Sequence, residues 1–142
     1  HLMGDNMKEH DEFKQICKDA ESKIICLDFD GVIYKNSKGF HDGTLYDEPI
    51  EGALQSIKHL NHELNYTLII HTCKANPKRP LINGKTGIEL IWDWLEKHEV
   101  SKYIKDVTYI KPNAICYIDD KGIRFDNWLQ CMEDCKKLGI FK

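Results

Sequence analysis

Ile24-Ile25-Cys26-Leu27-Asp28-Phe29-Asp30-Gly31-Val32-Ile33 is the stretch on which the reading of the chain turns. Four apolar residues run into a carboxylate, a second carboxylate follows two positions on, and a glycine comes next. An apolar run of this length bounded by a turn signal reads as a buried strand, although a run this short also fits a helix. As a strand, its period of two puts Asp28 and Asp30 on one face at its end. Gly31 then lets the backbone turn sharply. Unpaired charge is too costly to bury, so the two carboxylates belong to a site suited to a divalent cation and to acid–base work.

Further along, 66–71 (Tyr-Thr-Leu-Ile-Ile-His) is a β-branched run and the second strand; 104–110 and 114–118 are the third and fourth. Helices fall around them. The first is capped by Asp11 and carries Phe13, Ile16, Cys17 and Ala20 on one face. The next runs from about 50 to 63, with Leu54, Ile57, Leu60 and Leu64 on its apolar side. A third, about 86–98, turns Ile88, Ile91, Trp92 and Leu95 inward, and packing is the expected role of both Trp92 and Trp94. A last helix, about 126–138, aligns Leu129, Met132 and Cys135 and ends at Gly139 as C-cap. Strands alternating with helices imply an α/β fold: a Rossmann-like three-layer sandwich around a central parallel sheet, with no large cap domain. In such sheets ligands bind beyond the carboxyl ends of the strands. Asp28 ends the first strand, Thr72 follows the second, Lys111 follows the third and Asp119 ends the fourth, so four polar groups fall at that one edge.

At 142 residues the chain is expected to form one domain over 7–142, with 1–6 an expression remnant or disordered. A net charge of −3 argues against a dedicated nucleic-acid binder, so no stable nucleic-acid complex is expected. No apolar run approaches the ~20 residues of a membrane span, so no membrane partner is expected. The six cysteines include no CxxC pair and no zinc spacing. Cys26 and Cys116 sit in apolar strand runs and Cys17, Cys131 and Cys135 on helical patterns, as reduced thiols packed like small hydrophobes in a cytoplasmic protein would.

Two loops interrupt the pattern. Asn36, Ser37, Gly39, Asp42, Gly43 and Pro49 break up 34–49, a loop with room for a small hairpin and of a length that is often functional. Thr72-Cys73-Lys74-Ala75-Asn76-Pro77-Lys78-Arg79-Pro80 is basic and broken by proline. Its Lys74, Lys78 and Arg79 read first as solvated surface and second as charge for a substrate phosphate. His71 reads as a strand residue rather than a ligand. Lys121 and Arg124 flank the second acidic pair, within reach of a substrate.

A phosphoester arriving at this edge needs a nucleophile, an acid for the leaving group, charge shielding, and donors for the phosphoryl oxygens. Asp28 can attack, and Asp30 can protonate the leaving oxygen and then activate water. Asp28, Asp30 and Asp119 form a hard-oxygen set that suits Mg²⁺. Thr72 offers a hydroxyl donor and Lys111 a positive charge. Alternation would send Asp119 and Asp120 to opposite faces, with Asp119 the direct metal ligand and Asp120 behind it or on an additional metal.

In that order the residues resemble the haloacid dehalogenase-like superfamily of aspartate-nucleophile phosphohydrolases, in a small capless form. Asp28-Phe29-Asp30-Gly31-Val32 looks like its first motif, Thr72 its second, Lys111-Pro112 its third and Ile118-Asp119-Asp120 its fourth; Glu48-Pro49-Ile50-Glu51-Gly52-Ala53 is similar to the start of its first crossover helix. The resemblance spans about 23–126. It implies Mg²⁺, an aspartyl-phosphate on Asp28, Asp30 as acid–base, and metal contacts from the Asp30 backbone carbonyl and the Asp119 side chain. The retained second aspartate favours phosphatase over dehalogenase chemistry. Neither the segment after Gly31 nor that between Thr72 and Lys111 is long enough for a full cap. Such an open site favours a macromolecular or otherwise bulky phosphorylated substrate, with a protein, a nucleic-acid end and a small molecule all left open. Only seven residues separate Lys111 from Asp119, so that loop and strand must be compact. Two other functions fit parts of the pattern. One is a non-catalytic regulatory domain that binds metal and phosphate on the same fold. The other is a signalling receiver domain, disfavoured because there the acidic pair comes first and the lysine last.

Overall fold

The computed structural model describes residues 8–16, 23–39 and 41–141. Among them four strands, β1 (Ile24–Asp28), β2 (Thr67–His71), β3 (Ile104–Thr108) and β4 (Cys116–Ile118), form one sheet in the order β3-β2-β1-β4. Every pairing is parallel. The helices are α1 (residues 8–16), α2 (Ala53–Lys58, which runs on as a π-helical turn over His59–Glu63), α3 (Gly87–Lys97) and α4 (Trp128–Lys137). This is a small α/β fold, as the alternation of strand and helix patterns predicts.

Register turns the pattern into a core. Asp28 pairs with His71, His71 with Thr108, and Leu27 with Ile118, so the carboxyl ends of all four strands lie along one edge. The period of two then sorts the side chains by face. Ile25, Leu27, Phe29, Leu68, Ile70 and Val107 meet Ile57 of α2 and Ile91, Trp94 and Leu95 of α3 in one cluster. Burying each fully enclosed Ile, Leu or Phe is worth about 1.5–3 kcal/mol over leaving it exposed. Cys26, Asp28 and Tyr117 alternate onto the opposite face. No residue of α4 is buried, and Leu129 (81% exposed) and Met132 (49%) stand clear of the sheet, contrary to the expected apolar face. Phe13 and Ile16 of α1 are exposed too. The expected placements of Cys17, Ala20 and the 1–6 segment lie outside the described residues.

Local chemistry sets the element ends. Thr86 caps α3 with a capping box: its hydroxyl accepts the Glu89 N–H, and the Glu89 carboxylate accepts the Thr86 N–H. Asn127 caps α4 by accepting the Gln130 N–H at 2.9 Å. Gly139 follows it at φ 73°, the left-handed cap its position predicts. α2 starts at Ala53 rather than 50 because Gly52 sits at φ 85°, which no helical residue adopts, and Leu64 beyond it is 49% exposed. β3 stops at Thr108 rather than 110, where its hydroxyl takes the Ile110 N–H. The connection 109–115 carries no helix, and β4 is a three-residue edge strand whose Cys116 is exposed rather than packed. The five described cysteines are free. No helix among the described residues is long and apolar enough to cross a membrane.

The 34–49 loop is pinned to the core. Tyr34, fully buried, bridges antiparallel to Pro49 and stacks on Phe29 at 5.1 Å. Its hydroxyl accepts the Tyr46 and Asp47 N–H groups at 3.1 and 3.2 Å, while the indole N–H of Trp94 donates to the Asp47 carbonyl at 3.0 Å. Tyr34→Phe removes the acceptor of two part-buried N–H groups and is expected to cost about 1–3 kcal/mol. Urea unfolding checks this; an unchanged midpoint would show that water replaces the hydroxyl.

Candidate metal and phosphate site

Beyond β1 the chain folds back around one carbonyl. The Phe29 C=O accepts the N–H groups of Val32, Ile33 and Tyr34 at 3.3, 2.9 and 3.0 Å, and the Gly31 N–H donates to the Tyr34 carbonyl at 2.8 Å. This turn needs Gly31 at φ 82°. It also needs Gly31 bare, since a Cβ there would lie 2.2 Å from Oδ2 of Asp120. Asp28, Asp119 and Asp120 thereby gather at the carboxyl edge of β1 and β4, each offering an oxygen within 4.8 Å of the other two. Oδ1 of Asp119 accepts the Lys121 and Gly122 N–H groups at 2.6 and 3.2 Å, which orients that carboxylate. Because β4 ends at Ile118, strand alternation no longer governs Asp119 and Asp120, and both join the cluster instead of parting to opposite faces.

Desolvation and like charge act together here. Burial, then the charges of Asp119, Asp120 and Asp30, raise the Asp28 pKa to about 6, against the lowering effect of the Phe29 N–H that Oδ1 accepts at 2.8 Å. Behind it, burial and the Asp28 charge push the Cys26 thiol up to about 11, so it stays protonated.

Asp30 takes a different partner. Its Oδ1 accepts from Lys74 Nζ at 2.5 Å, with the two side chains 33% and 19% exposed. The same ammonium lies 4.8 Å from the Tyr34 ring centroid and 5.8 Å from that of Phe29. Lys74 stands on a single 3₁₀ turn, Cys73–Ala75, whose cap is the Thr72 hydroxyl oxygen accepting the Lys74 N–H at 3.2 Å. Gly87, the first residue of α3, packs against this turn so closely that a Cβ would fall 1.7 Å from the Lys74 carbonyl oxygen. Lys74 is therefore not the solvated surface charge its basic loop suggests. Its place two residues after Thr72, on a capped turn, is the signal that marks it.

The sequence-predicted donors separate. Thr72, buried, borders a cavity of about 330 Å³ that Asp28, Asp30, Asp120, Lys35 and Lys121 also line. Lys111 instead borders a cavity of about 570 Å³ with Cys26, Asp28, His71, Tyr117 and Asp119, along the face opposite the core. Its ammonium sits 4.4 Å from the Tyr117 ring centroid and makes no ion pair among the described residues. Asp28 alone belongs to both spaces. His71, expected as a plain strand residue, places Nε2 3.2 Å from the Tyr109 carbonyl oxygen. Lys35, on the loop after Gly31, carries no motif that would single it out.

The donor set fits a hard divalent cation: three carboxylates converge, and the bare Gly31 lets the Asp120 carboxylate come close enough to join them. No family model, no curated protein and no solved structure matches the chain.

Two outcomes follow. MgCl₂ at a hundredfold excess over its Kd is expected to stabilise the fold by about 2.7 kcal/mol. Asp119→Asn, or Gly31→Ala acting through Asp120, should shrink that gain in a thermal melt. In metal-free protein Asp28 holds its proton more tightly folded than unfolded, so its contribution to stability is full below about pH 4 and is lost as pH rises through about 6. Metal-free Asp28→Asn should accordingly melt above wild type at neutral pH, with the gap closing near pH 4.

Proposed function

We propose that this chain is a phosphomonoester hydrolase, Mg²⁺-dependent, working through Asp28 on the plan of the haloacid dehalogenase-like phosphohydrolases that its motifs resemble. The observation that carries the reading is the convergence of Asp28, Asp119 and Asp120 at the carboxyl edge of a parallel sheet, with Thr72 beside them. A bound Mg²⁺ would offset the charge of these carboxylates and of the phosphoryl oxygens. An Asp28 carboxylate oxygen attacks phosphorus, the bond from phosphorus to the leaving oxygen breaks, and Asp30 supplies the proton that makes the leaving group an alcohol. Asp30 then takes a proton from water as that water attacks the aspartyl-phosphate, releasing inorganic phosphate and restoring Asp28. The Thr72 hydroxyl, Lys35 and Lys121 are the donors on the phosphoryl side, and Lys111 adds positive charge from the other flank.

Lys74 is a positioning residue in this scheme, holding the Asp30 carboxylate outside the acidic cluster. The metal contact left to Asp30 is its backbone carbonyl, as the resemblance implies. The reading also implies the full three-layer Rossmann-like arrangement around the parallel sheet. The open edge admits a bulky phosphorylated substrate, and free thiols suit a cytoplasmic setting. One observation favours a second reading, a regulatory domain that binds metal and phosphate without turnover: Lys74 holds Oδ1 of Asp30 at 2.5 Å and leaves that carboxylate only Oδ2 for proton transfer.

A generic aryl phosphate with Mg²⁺ separates the two. The expected result is metal-dependent phosphate release, a loss of about a thousandfold or more in Asp28→Asn, and about a hundredfold or more in Asp30→Asn. Equal turnover by Asp28→Asn would overturn the proposal, and binding without turnover would select the regulatory reading.

A further inference from the structure

The space beside Asp30 continues away from the acidic cluster. A cleft of about 180 Å³ opens between residues 36–39 and 41–46 and the turn that follows Thr72, lined by Asp30, His41, Thr44, Tyr46, Lys74 and Arg79. It shares Asp30, Asn36 and Cys73 with the cavity that holds Thr72 and Asp28. In the hydrolase reading a phosphoester whose phosphorus meets Asp28 places its leaving oxygen near Asp30, which lines both spaces, so this cleft offers room for the rest of the leaving group.

Both walls are built. On one side Ser37 donates N–H and hydroxyl to the Asp47 carboxylate at 2.9 and 2.5 Å, and the Tyr46 hydroxyl accepts the Lys38 N–H at 2.8 Å. Asp42 accepts the Thr44 N–H and hydroxyl at 2.9 and 2.5 Å, and Gly43 packs against Ile82, whose Cδ1 a Cβ would approach to 2.7 Å. On the other side Asn76-Pro77-Lys78-Arg79 forms a tight turn. The Asn76 carbonyl accepts the Arg79 N–H at 3.1 Å, and its side-chain oxygen accepts the Lys78 N–H at 2.9 Å.

Charge distinguishes this cleft from the cluster next to it. Lys74 is neutralised by Asp30. The Arg79 guanidinium has no carboxylate within ion-pair distance among the described residues. Asp42, which lines an adjoining cavity with Arg79, keeps its charge but turns its Oδ1 to Thr44 and makes no ion pair with Arg79. Among the described residues lining the cleft, Arg79 is thus the cation with no ion-pair partner, and its planar fork suits a carboxylate or phosphate. The volume holds about six water molecules and falls below the roughly 300 Å³ at which drug-sized pockets begin, so the group it takes is short.

We propose that this cleft is the leaving-group subsite of the hydrolase described above, and that through Arg79 it selects a short alcohol carrying a second anionic group. The inference rests on the hydrolase reading, and it narrows the substrate to a phosphomonoester with a second anion a few atoms from the scissile oxygen. That unit can stand alone or at the end of a larger molecule.

The test compares kcat/KM of the full chain with Mg²⁺ on glycerol phosphate, which lacks a second anion, and on phosphoglycerate and glycerol bisphosphate, which carry a carboxylate and a phosphate. Wild type is expected to favour one or both of the substrates with an anionic leaving group by about tenfold to a hundredfold, the size of one charge-assisted hydrogen bond. Which of the two is preferred identifies the anion. Arg79→Gln should cut the ratio about tenfold, Arg79→Lys should restore part of it, and Lys97→Gln at the end of α3, an equal charge change elsewhere, should leave it intact. A wild-type ratio near one, or the same ratio in Arg79→Gln, overturns the subsite and leaves the hydrolase reading standing. Calorimetric titration of the same three ligands into Asp28→Asn with MgCl₂ covers the opposite failure. An Arg79-dependent affinity ratio without wild-type turnover keeps the cleft as an anion site but overturns its leaving-group role together with the hydrolase; no ratio and no turnover overturn all of it.

Discussion

Phe29 is the residue from which the architecture hangs. Its ring is fully buried between Tyr34 and Trp94, 5.1 and 5.3 Å away centre to centre, and its carbonyl collects three N–H groups of the turn that follows. Apolar burial fixes the ring, hydrogen bonding fixes the turn, and the acids on either side are placed by difference. Asp28 is left at the strand end beside Asp119 and Asp120. Asp30, one step past the anchor, swings to Lys74, whose ammonium lies over the same aromatic pair. A single buried aromatic thus gives two carboxylates separated by one residue distinct environments, the arrangement by which proteins assign distinct roles to chemically identical groups.

The electrostatics explain why the site is costly without a counter-charge. Three carboxylates within 4.8 Å repel, and the most buried of them responds by binding its proton more tightly. A divalent cation would reverse that balance, while Asp30 has its counter-charge in Lys74. The cationic residues are distributed rather than gathered: Lys35 and Lys121 border one side of Asp28, Lys111 the other, and Arg79 stands a cavity further out.

Much of this was legible in the residues themselves. The run 24–28 and the β-branched run at 66–71 each carry a local rule that the tertiary structure obeys, and the edge position of Asp28, Thr72 and Asp119 follows from strand order alone. What escaped has physical causes. Lys74 and Lys78 look alike in a basic loop, and only the 3₁₀ turn capped by Thr72 sends one of them inward. Asp119 and Asp120 were assigned by an alternation that ceases where the strand does. The apolar stripe of α4 has helical period, yet a stripe states what a helix can bury and not what lies opposite it. Lys35 and Arg79 owe their positions to loop geometry, which no periodicity encodes.

The ties from Tyr34 and Trp94 to the backbone at 46–47 bear on how the protein would meet a ligand. A wall that must be ordered on contact spends part of the binding energy on lost chain freedom, and a wall already fastened to the core does not. Here the loop that takes the place of a lid is fastened beforehand, so association calls for little rearrangement on that side, and encounter is governed by diffusion and charge more than by closure. Asp28 meanwhile borders two cavities at once, and the proposed hydrolysis, whose second reactant is water, would draw on that access.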